Sequence, residues 1–478
     1  MPVRLMISMP EKITPRYGLL QIAGLITGPA LFLLALFFSP ESLSFQAAVV
    51  AGGTLWVIVW WITEPVPIAA TSLLPIVLFP LFGAMDTGNV TGEYGNPIIF
   101  LFIGGFLIAI AIEKWNLHSR IALGIVQVIG TSPRMIIGGF LLSTAFLSAW
   151  ISNTATALMM LPVAAAVTVK FKSAGYEEDF RTALVLAVAY GASIGGVATL
   201  IGSPPNLILA GMYTTLTGSS ISFLQWATFG VPIAGIMLAL CWIYLVIFAF
   251  PQKKTSLRIN LDEEFQNLGM ASIGEKRVFA VFLMVAALWI TRTFWGGYVP
   301  MVSDTTIAVF GAVLLFLIPA GEGSRLLVWE DAVRLPWNII LLFGCGLAIA
   351  KGFVKTGLEV WIADQLQVIS SVPPLVILLA VIVLVIFMTE VTSNTATATV
   401  FIPIAAALAL VEGMNPLTLM VAAAISSSLA FMLPVATPPN AIVYGTGYVT
   451  MAQMVRAGFW MNCISIVVLM ICIPVFAP

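Results

Sequence analysis

Two Ser-Asn-Thr triplets, Ser152-Asn153-Thr154 and Ser393-Asn394-Thr395, interrupt two strongly apolar stretches of the chain, 133–170 and 372–411. Serine and threonine hydroxyls donate to carboxylate oxygens, while an asparagine amide can donate to an anion through nitrogen and coordinate a cation through oxygen. The combination suits a small anion and Na+ held together. A further pair of breaks follows, Ser203-Pro204-Pro205-Asn206 and Thr437-Pro438-Pro439-Asn440, each freeing backbone carbonyls near a triplet. No Lys or Arg lies between Arg134 and Lys170, or anywhere in 372–411. The anion is therefore expected to be held without a fixed cationic side chain. A helix restarting after each triplet offers its N-terminus, worth roughly 0.3–1 kcal/mol to a carboxylate and more where water is excluded. Bound sodium supplies the rest of the balance, one cluster beside each triplet. An anion whose binding requires a cation is by linkage a coupled passenger.

The rest of the chemistry-bearing inventory is thin. One histidine, His118, in the charged turn Glu113–His118, removes every His-based zinc motif and reads as an interfacial residue. Cys241, Cys345, Cys463 and Cys472 stand alone in apolar sequence and imply neither a metal cage nor a disulfide framework. Gly104-Gly105 lacks a P-loop context and reads as a helix-packing site. Glu390, three residues before Ser393, either tunes a sodium site, relays a proton or holds structure. Glu64 opens a Pro-rich turn and reads as scaffold.

The positioning elements follow from composition. The chain has 478 residues, of which 60% are hydrophobic and 9% charged, and a mean hydropathy of +1.07, values that belong to an integral membrane protein. Twenty basic against twenty-one acidic side chains leave a net charge of −1, which excludes a nucleic-acid-binding field. The apolar run Tyr17–Phe38 is too long for a signal-peptide core and lacks a small-residue cleavage site, so it reads as a retained span. Ten more spans are expected near 45–62, 66–84, 97–115, 182–211, 226–250, 278–295, 303–319, 337–356, 415–445 and 452–476. Trp56, Trp60 and Trp61 near one span end read as interfacial anchors, with possible dimer contacts. The stretches 133–170 and 372–411 are short for two spans and a loop, and read as re-entrant hairpins. In hydrocarbon such breaks persist only around a cavity, a ligand or an ion.

Eleven crossings with the N-terminus cytoplasmic place seventeen Lys and Arg on the cytoplasmic side and three, Arg292, Lys351 and Lys355, outside. The C-terminus is then extracytoplasmic, and 251–277 is a cytoplasmic linker between two halves. Those halves repeat. Phe102-Ile103-Gly104-Gly105 corresponds to Phe343-Gly344-Cys345-Gly346, and the two triplets and Pro162/Pro403 share the same offset of 241, while the Pro-Pro-Asn elements are offset by 234. Five spans lead from one repeat's opening helix to the other's, so the repeats are inverted, the signature of a secondary transporter with a midplane site.

The doubled triplets, the paired Pro-Pro-Asn elements, Trp61-Ile62-Thr63-Glu64-Pro65 and the segment Ser427–Val443 resemble the divalent anion/sodium symporter family over nearly the whole chain. Ser427–Val443 fits the sodium:sulfate/dicarboxylate symporter signature at every specified position. The resemblance implies an all-α polytopic membrane protein, about eleven transmembrane helices and two re-entrant hairpins, working as a homodimeric elevator. It implies scaffold helices in 1–132 and 278–371, and transport parts in 133–250 and 372–478 that move together. It implies that Ser152, Asn153, Thr154, Ser393, Asn394 and Thr395, with Pro204 and Pro438, bind substrate carboxylates. The first sodium site would use Ser148, Ser152, Asn153 and Gly202, and the second Thr389, Thr392, Asn394 and Ala436. Both triplets are intact, which within the family favours Na+ symport, and the leading reading is symport of C4-dicarboxylates such as succinate, malate and fumarate. The alternatives are a Na+-independent dicarboxylate exchanger, or a citrate or sulfate carrier of the same fold. A channel needs a continuous pore, which closed hairpin tips oppose, and an enzyme would lack the usual Ser/His or HExxH devices.

Overall fold

The computed structural model describes residues 18–173, 178–252, 266, 268–321, 323–366 and 372–477. Arg4, Lys12, Arg16, Tyr17, Lys253, Lys254 and Arg258, and the side chains of Lys170 and Lys172, lie outside them. Within them the chain is a helical bundle, because a backbone in hydrocarbon must satisfy its own hydrogen bonds. Helix starts are capped by short polar side chains, as at Ser44, Asn96, Ser222, Ser272, Ser303 and Thr450, whose oxygens accept from backbone N–H groups of the first turn. Gly218 and Gly357, at φ 73° and 69°, close two helices in the left-handed conformation that glycine adopts without steric cost.

Nine helices among the described residues are long and apolar enough to cross a membrane. Eight correspond to expected spans, and the ninth, Asn394–Val411, belongs to the second triplet segment. The other three expected spans are shorter or broken. The 66–84 span is two helices, Ile68–Thr71 and Leu74–Leu81, separated by Ser72-Leu73 ahead of Pro75, which cannot donate to the ladder. The 303–319 span is Asp304–Leu317, followed by a small hairpin that pairs Pro319 with Arg325, the one departure from all-helical structure among the described residues. The 415–445 span divides into Pro416–Ser428 and Pro438–Gly445. Two helices that the sequence reading passed over, Leu117–Ile129 and Leu358–Leu366, immediately follow Pro97–Lys114 and Trp337–Thr356 at equivalent places in the two halves.

Helix Glu178–Val197 is the innermost element, buried along 94% of its apolar window, whereas Leu19–Phe37 is buried along only 17%. Close approach is made by glycine. A Cβ on Gly195 would fall 2.2 Å from the Ala145 carbonyl oxygen and 2.4 Å from its Cα, and one on Gly104 would fall 2.7 Å from the backbone of Ala308. Gly104 is thus a packing position. Gly195→Ala is expected to force Pro133–Ser148 and Glu178–Val197 apart, at a cost of about 1–3 kcal/mol or more. A lowered melting temperature in detergent and a broadened size-exclusion peak would register it; a parent-like melting curve would refute it.

Trp56, Trp60 and Trp61 pack within the first spans. Trp56 and Trp60 meet edge to face at 5.4 Å over Gly28, where a Cβ would fall 2.6 Å from Trp56. Trp60 Nε1 donates to the Gly24 carbonyl at 2.9 Å and Trp61 Nε1 to Ser72 Oγ at 3.2 Å. His118 is buried, its Nδ1 3.4 Å from the Ile112 carbonyl. The four cysteines are free, and all but Cys463 are fully buried. The three basic residues that depart from the charge asymmetry are each ion-paired: Arg292 with Asp304 at 3.2 Å, Lys351 with Glu93 at 2.7 Å and Lys355 with Asp86 at 3.4 Å. Asp86, exposed and accepting from Asn89, has its carboxyl lowered to about 2, chiefly by the backbone and side-chain hydrogen bonds of Asn89.

Candidate substrate and cation site

Each triplet sits between two helices. Pro133–Ser148 ends just before the first and a new helix starts at Asn153; Pro374–Thr389 ends just before the second and a new helix starts at Asn394. The Pro-Pro-Asn elements start two more helices, at Pro204 and Pro438. All four starts line one cavity of about 830 Å³. Two helix ends were expected from the triplets, and four meet, because a proline in the first helical turn leaves the remaining N–H groups of that turn pointing outward.

The cavity is lined by Ser152, Asn153, Thr154, Gly202, Pro204, Thr392, Ser393, Asn394, Thr395, Ala436 and Pro438. Ser148 and Thr389, both 0% exposed, stand directly behind the asparagines. Every residue that the family resemblance assigns to substrate or sodium is therefore brought into one place. Among the described lining residues Glu64 alone is charged, and none is basic, so an anion at the triplets meets dipoles, hydroxyls, amides and whatever cation is bound, with one carboxylate elsewhere on the wall.

The two asparagines have equivalent surroundings. Ser148 Oγ lies 2.6 Å from Asn153 Oδ1 and 2.7 Å from the Ala192 carbonyl oxygen. Thr389 Oγ1 lies 2.8 Å from both Asn394 Oδ1 and the Ser427 carbonyl oxygen. A hydroxyl has one proton for two acceptors, so each cluster holds more oxygen lone pairs than donors, an arrangement that a cation completes. The first cluster is crowded with oxygen: a Cβ on Gly196 would fall 2.7 Å from Asn153 Oδ1 and 3.1 Å from the Gly202 carbonyl oxygen, and one on Gly202 would fall 3.1 Å from the Ser148 carbonyl oxygen. Such a shell of neutral oxygens is what a hard monovalent cation accepts. In the second cluster Thr392 Oγ1 turns away to Thr397 Oγ1 at 2.6 Å and to the Met388 carbonyl at 2.8 Å.

The breaks behind these clusters are fastened by their asparagines. Asn206 Nδ2 donates to the carbonyls of Gly196 and Thr199, each at 2.8 Å. Asn440 Nδ2 donates to those of Ala430 and Leu433, at 3.2 and 3.1 Å, the same pattern displaced by 234 residues. The second fasteners differ. Thr199 Oγ1 donates to the Ala149 carbonyl. At the position equivalent to Ala149 stands Glu390, 3% exposed, whose carboxylate accepts from the backbone N–H groups of Phe431, Met432 and Leu433 at 2.8–3.1 Å and from Asn462 Nδ2 at 2.8 Å.

Sequence reasoning missed Gln21, Phe102, Phe106 and Asn338, which also line the cavity. Asn338, a lone amide in the first turn of an apolar helix, carried the available signal. Glu64 occupies the left-handed region at φ 44°; its carbonyl accepts from Gln21 Nε2 at 3.2 Å, tying the first two spans together.

Paired helix breaks around a polar cavity with no basic side chain among its described residues, inside an apolar bundle, are the layout of a membrane carrier, and comparison with known proteins agrees. Residues 21–477 match the family described as sodium:sulfate symporter transmembrane region, and the chain belongs to that family of multi-pass membrane proteins. Among its relatives, a protein of Staphylococcus saprophyticus named sodium-dependent dicarboxylate transporter SdcS is 45% identical, over 98% of this chain and 93% of its own. A protein of the same name in Staphylococcus aureus is 44% identical, over 96% and 91%. Two solved structures share the fold alone. The MtrF protein of Neisseria gonorrhoeae, described among antimetabolite efflux pumps, has a TM-score of 0.59 at 14% identity, covering 92% of this chain and 97% of its own. The YdaH transporter of Alcanivorax borkumensis has a TM-score of 0.55 at 13% identity, covering 81% and 86%.

Proposed function

We propose that the protein imports C4-dicarboxylates, such as succinate, malate and fumarate, by Na+ symport. The observation that carries this reading is the shared cavity: two asparagine tips and four helix N-termini facing one space, with no basic side chain among the described residues of its wall and oxygen-rich clusters directly behind. A dianion placed there is compensated only in part by helix ends worth roughly 0.3–1 kcal/mol each, and Na+ at the two clusters supplies the remainder. In this reading Ser152, Asn153, Thr154, Ser393, Asn394 and Thr395, with Pro204 and Pro438, hold the carboxylates. Ser148, Ser152, Asn153 and Gly202 hold one sodium, and Thr389, Thr392, Asn394 and Ala436 the other. The names of the 44–45% identical relatives support both passengers.

The chain then crosses the membrane eleven times, N-terminus cytoplasmic and C-terminus outside, with 133–170 and 372–411 re-entering. Most of the cavity wall away from the tips is Gly18, Leu20 and Gln21, Trp61–Glu64, Ile68, and Asn338 and Ile339, beside Phe102, Phe106, Ile201 and Leu342. The first set comprises span ends that this orientation puts on the cytoplasmic side, so the site faces inward. Sodium binds first and orders the tips, the dianion bridges them, and the loaded 133–250 and 372–478 parts move as an elevator against the scaffold of a homodimer. Half-loaded states stay put, since their bare polar tips would cross an apolar barrier.

Labelled succinate uptake into empty liposomes, driven by an inward Na+ gradient and compared with K+ or choline, tests this. Uptake is expected only with Na+, and without internal dicarboxylate. Uptake that ignores Na+ and requires internal dicarboxylate would make the protein an exchanger.

A further inference from the structure

The two repeats are alike at the asparagines and unlike at the residue that opens the helix of each Pro-Pro-Asn element. In the second repeat Thr437 caps its own helix, its Oγ1 accepting from Asn440 N at 3.3 Å. The equivalent residue of the first repeat, Ser203, is also an N-cap by backbone conformation, yet its side chain makes no capping bond. A serine in that place ordinarily stabilises its helix by about 1 kcal/mol through the cap. Its hydroxyl instead lies 3.1 Å from Ser428 Oγ, across the repeat boundary, with both residues at most 1% exposed.

The location of that bond gives it consequence. Ser203 follows Gly202, an oxygen donor of the first cluster. Ser428 follows Ser427, whose carbonyl accepts from Thr389 Oγ1 at 2.8 Å beside Asn394. One residue on either side of a single hydroxyl–hydroxyl bond thus lies the backbone of each cation cluster. A second contact runs the same way: Tyr190 Oη donates to the Phe431 carbonyl at 3.3 Å, and the N–H of Phe431 is held by Glu390. Residues of the first repeat therefore hold the break of the second from two points.

We propose that Ser203, through Ser428, couples the two cation clusters, so that filling one orders the other. This deepens the sodium-symport reading and rests on it. A cation drawing on the Gly202 carbonyl fixes the turn before Ser203, and with it the hydroxyl that positions Ser428 and the Ser427 carbonyl. The second cation then enters a cluster whose ordering cost has already been met, which is positive cooperativity carried by a physical contact. Ser203 also borders the cavity, but its part in the coupling is to position Ser428, and it need not touch either ion.

The test is the Na+ dependence of succinate uptake by the full-length protein in liposomes, together with Na+-induced thermal stabilisation in detergent. The parent is expected to show a sigmoidal Na+ response. In Ser203→Ala and in Ser428→Ala the Hill coefficient falls towards ~1 and half-saturating Na+ rises about fivefold or more. The double variant is no worse than either single one, because both remove the same bond. A parental Hill coefficient and half-saturation in either folded variant would overturn the proposal, even if its melting temperature dropped, and so would additive effects. If one variant does not fold, the other reports the same bond from its opposite end. A parent whose uptake ignores Na+ is a different result: the sodium reading falls, and the coupling with it.

Discussion

Purified Asn153→Ala and Asn394→Ala are each expected to lose Na+-driven dicarboxylate uptake by about 100- to 1,000-fold while remaining folded. In the proposed binding mode each substitution removes a charge-assisted hydrogen bond to the anion, worth about 1.5–3 kcal/mol, together with an amide oxygen of the adjacent cation cluster. Folding is spared because the hydroxyl behind each asparagine keeps a second acceptor: Ser148 Oγ retains the Ala192 carbonyl, and Thr389 Oγ1 retains the Ser427 carbonyl. Uptake in proteoliposomes and the melting temperature in detergent separate the two effects. Transport within a few-fold of the parent by either variant would refute the site assignment.

Glu390→Ala is expected to be damaging by a different route. The carboxylate is buried and accepts from three successive backbone N–H groups and one amide. Nothing else in the second break offers those donors an acceptor. Losing it leaves four donors unpaired, two of them buried and two partly buried, a cost of about 3–5 kcal/mol by analogy with breaking a buried charge pair. The Ala430 and Leu433 carbonyls, which Asn440 holds, lie in the same break, so the second cluster loosens with it. We expect a large fall in melting temperature and loss of Na+-stimulated uptake. Glu390→Gln is expected to fail as well, because its NH2 group would face N–H donors. Thr199→Val, at the first repeat's fastener, removes one neutral bond and is expected to cost only about 1 kcal/mol. Equal effects of Glu390→Ala and Thr199→Val would show that the asymmetry between the breaks has no energetic content.

The triplets and the Pro-Pro-Asn elements were legible because they are polar or helix-breaking residues in apolar sequence, where each exception has a cost and therefore a reason. Their convergence was legible too, through the repeat: two equivalent tips of opposite direction have a shared centre. What escaped the sequence depends on distance across the fold. The Glu390 carboxylate is satisfied by backbone groups some forty residues away, and backbone donors carry no side-chain signature. The Ser203 hydroxyl could equally have capped its own helix, as Thr437 does. Trp56 and Trp60 have a composition that suits a bilayer interface, and only the glycines opposite them, Gly24 and Gly28, reveal a tight helix pair. Span boundaries suffered where hydropathy ignores local breakers, as at Ser72-Leu73 and across 429–437.

The bond between Lys351 and Glu93 joins residues 258 positions apart, which bears on how the chain enters the bilayer. During synthesis Glu93 leaves the ribosome long before Lys351, and its carboxylate, only 9% exposed in the finished protein, must wait near the lipid with Asn96 as a neutral companion. The helix bearing Lys351 is thus inserted into a membrane where its counter-charge already stands, and the arrival of the later half discharges a debt left by the earlier one. A chain cut at the linker would strand that carboxylate without its counter-charge, so the first half on its own is expected to be less stable than the whole.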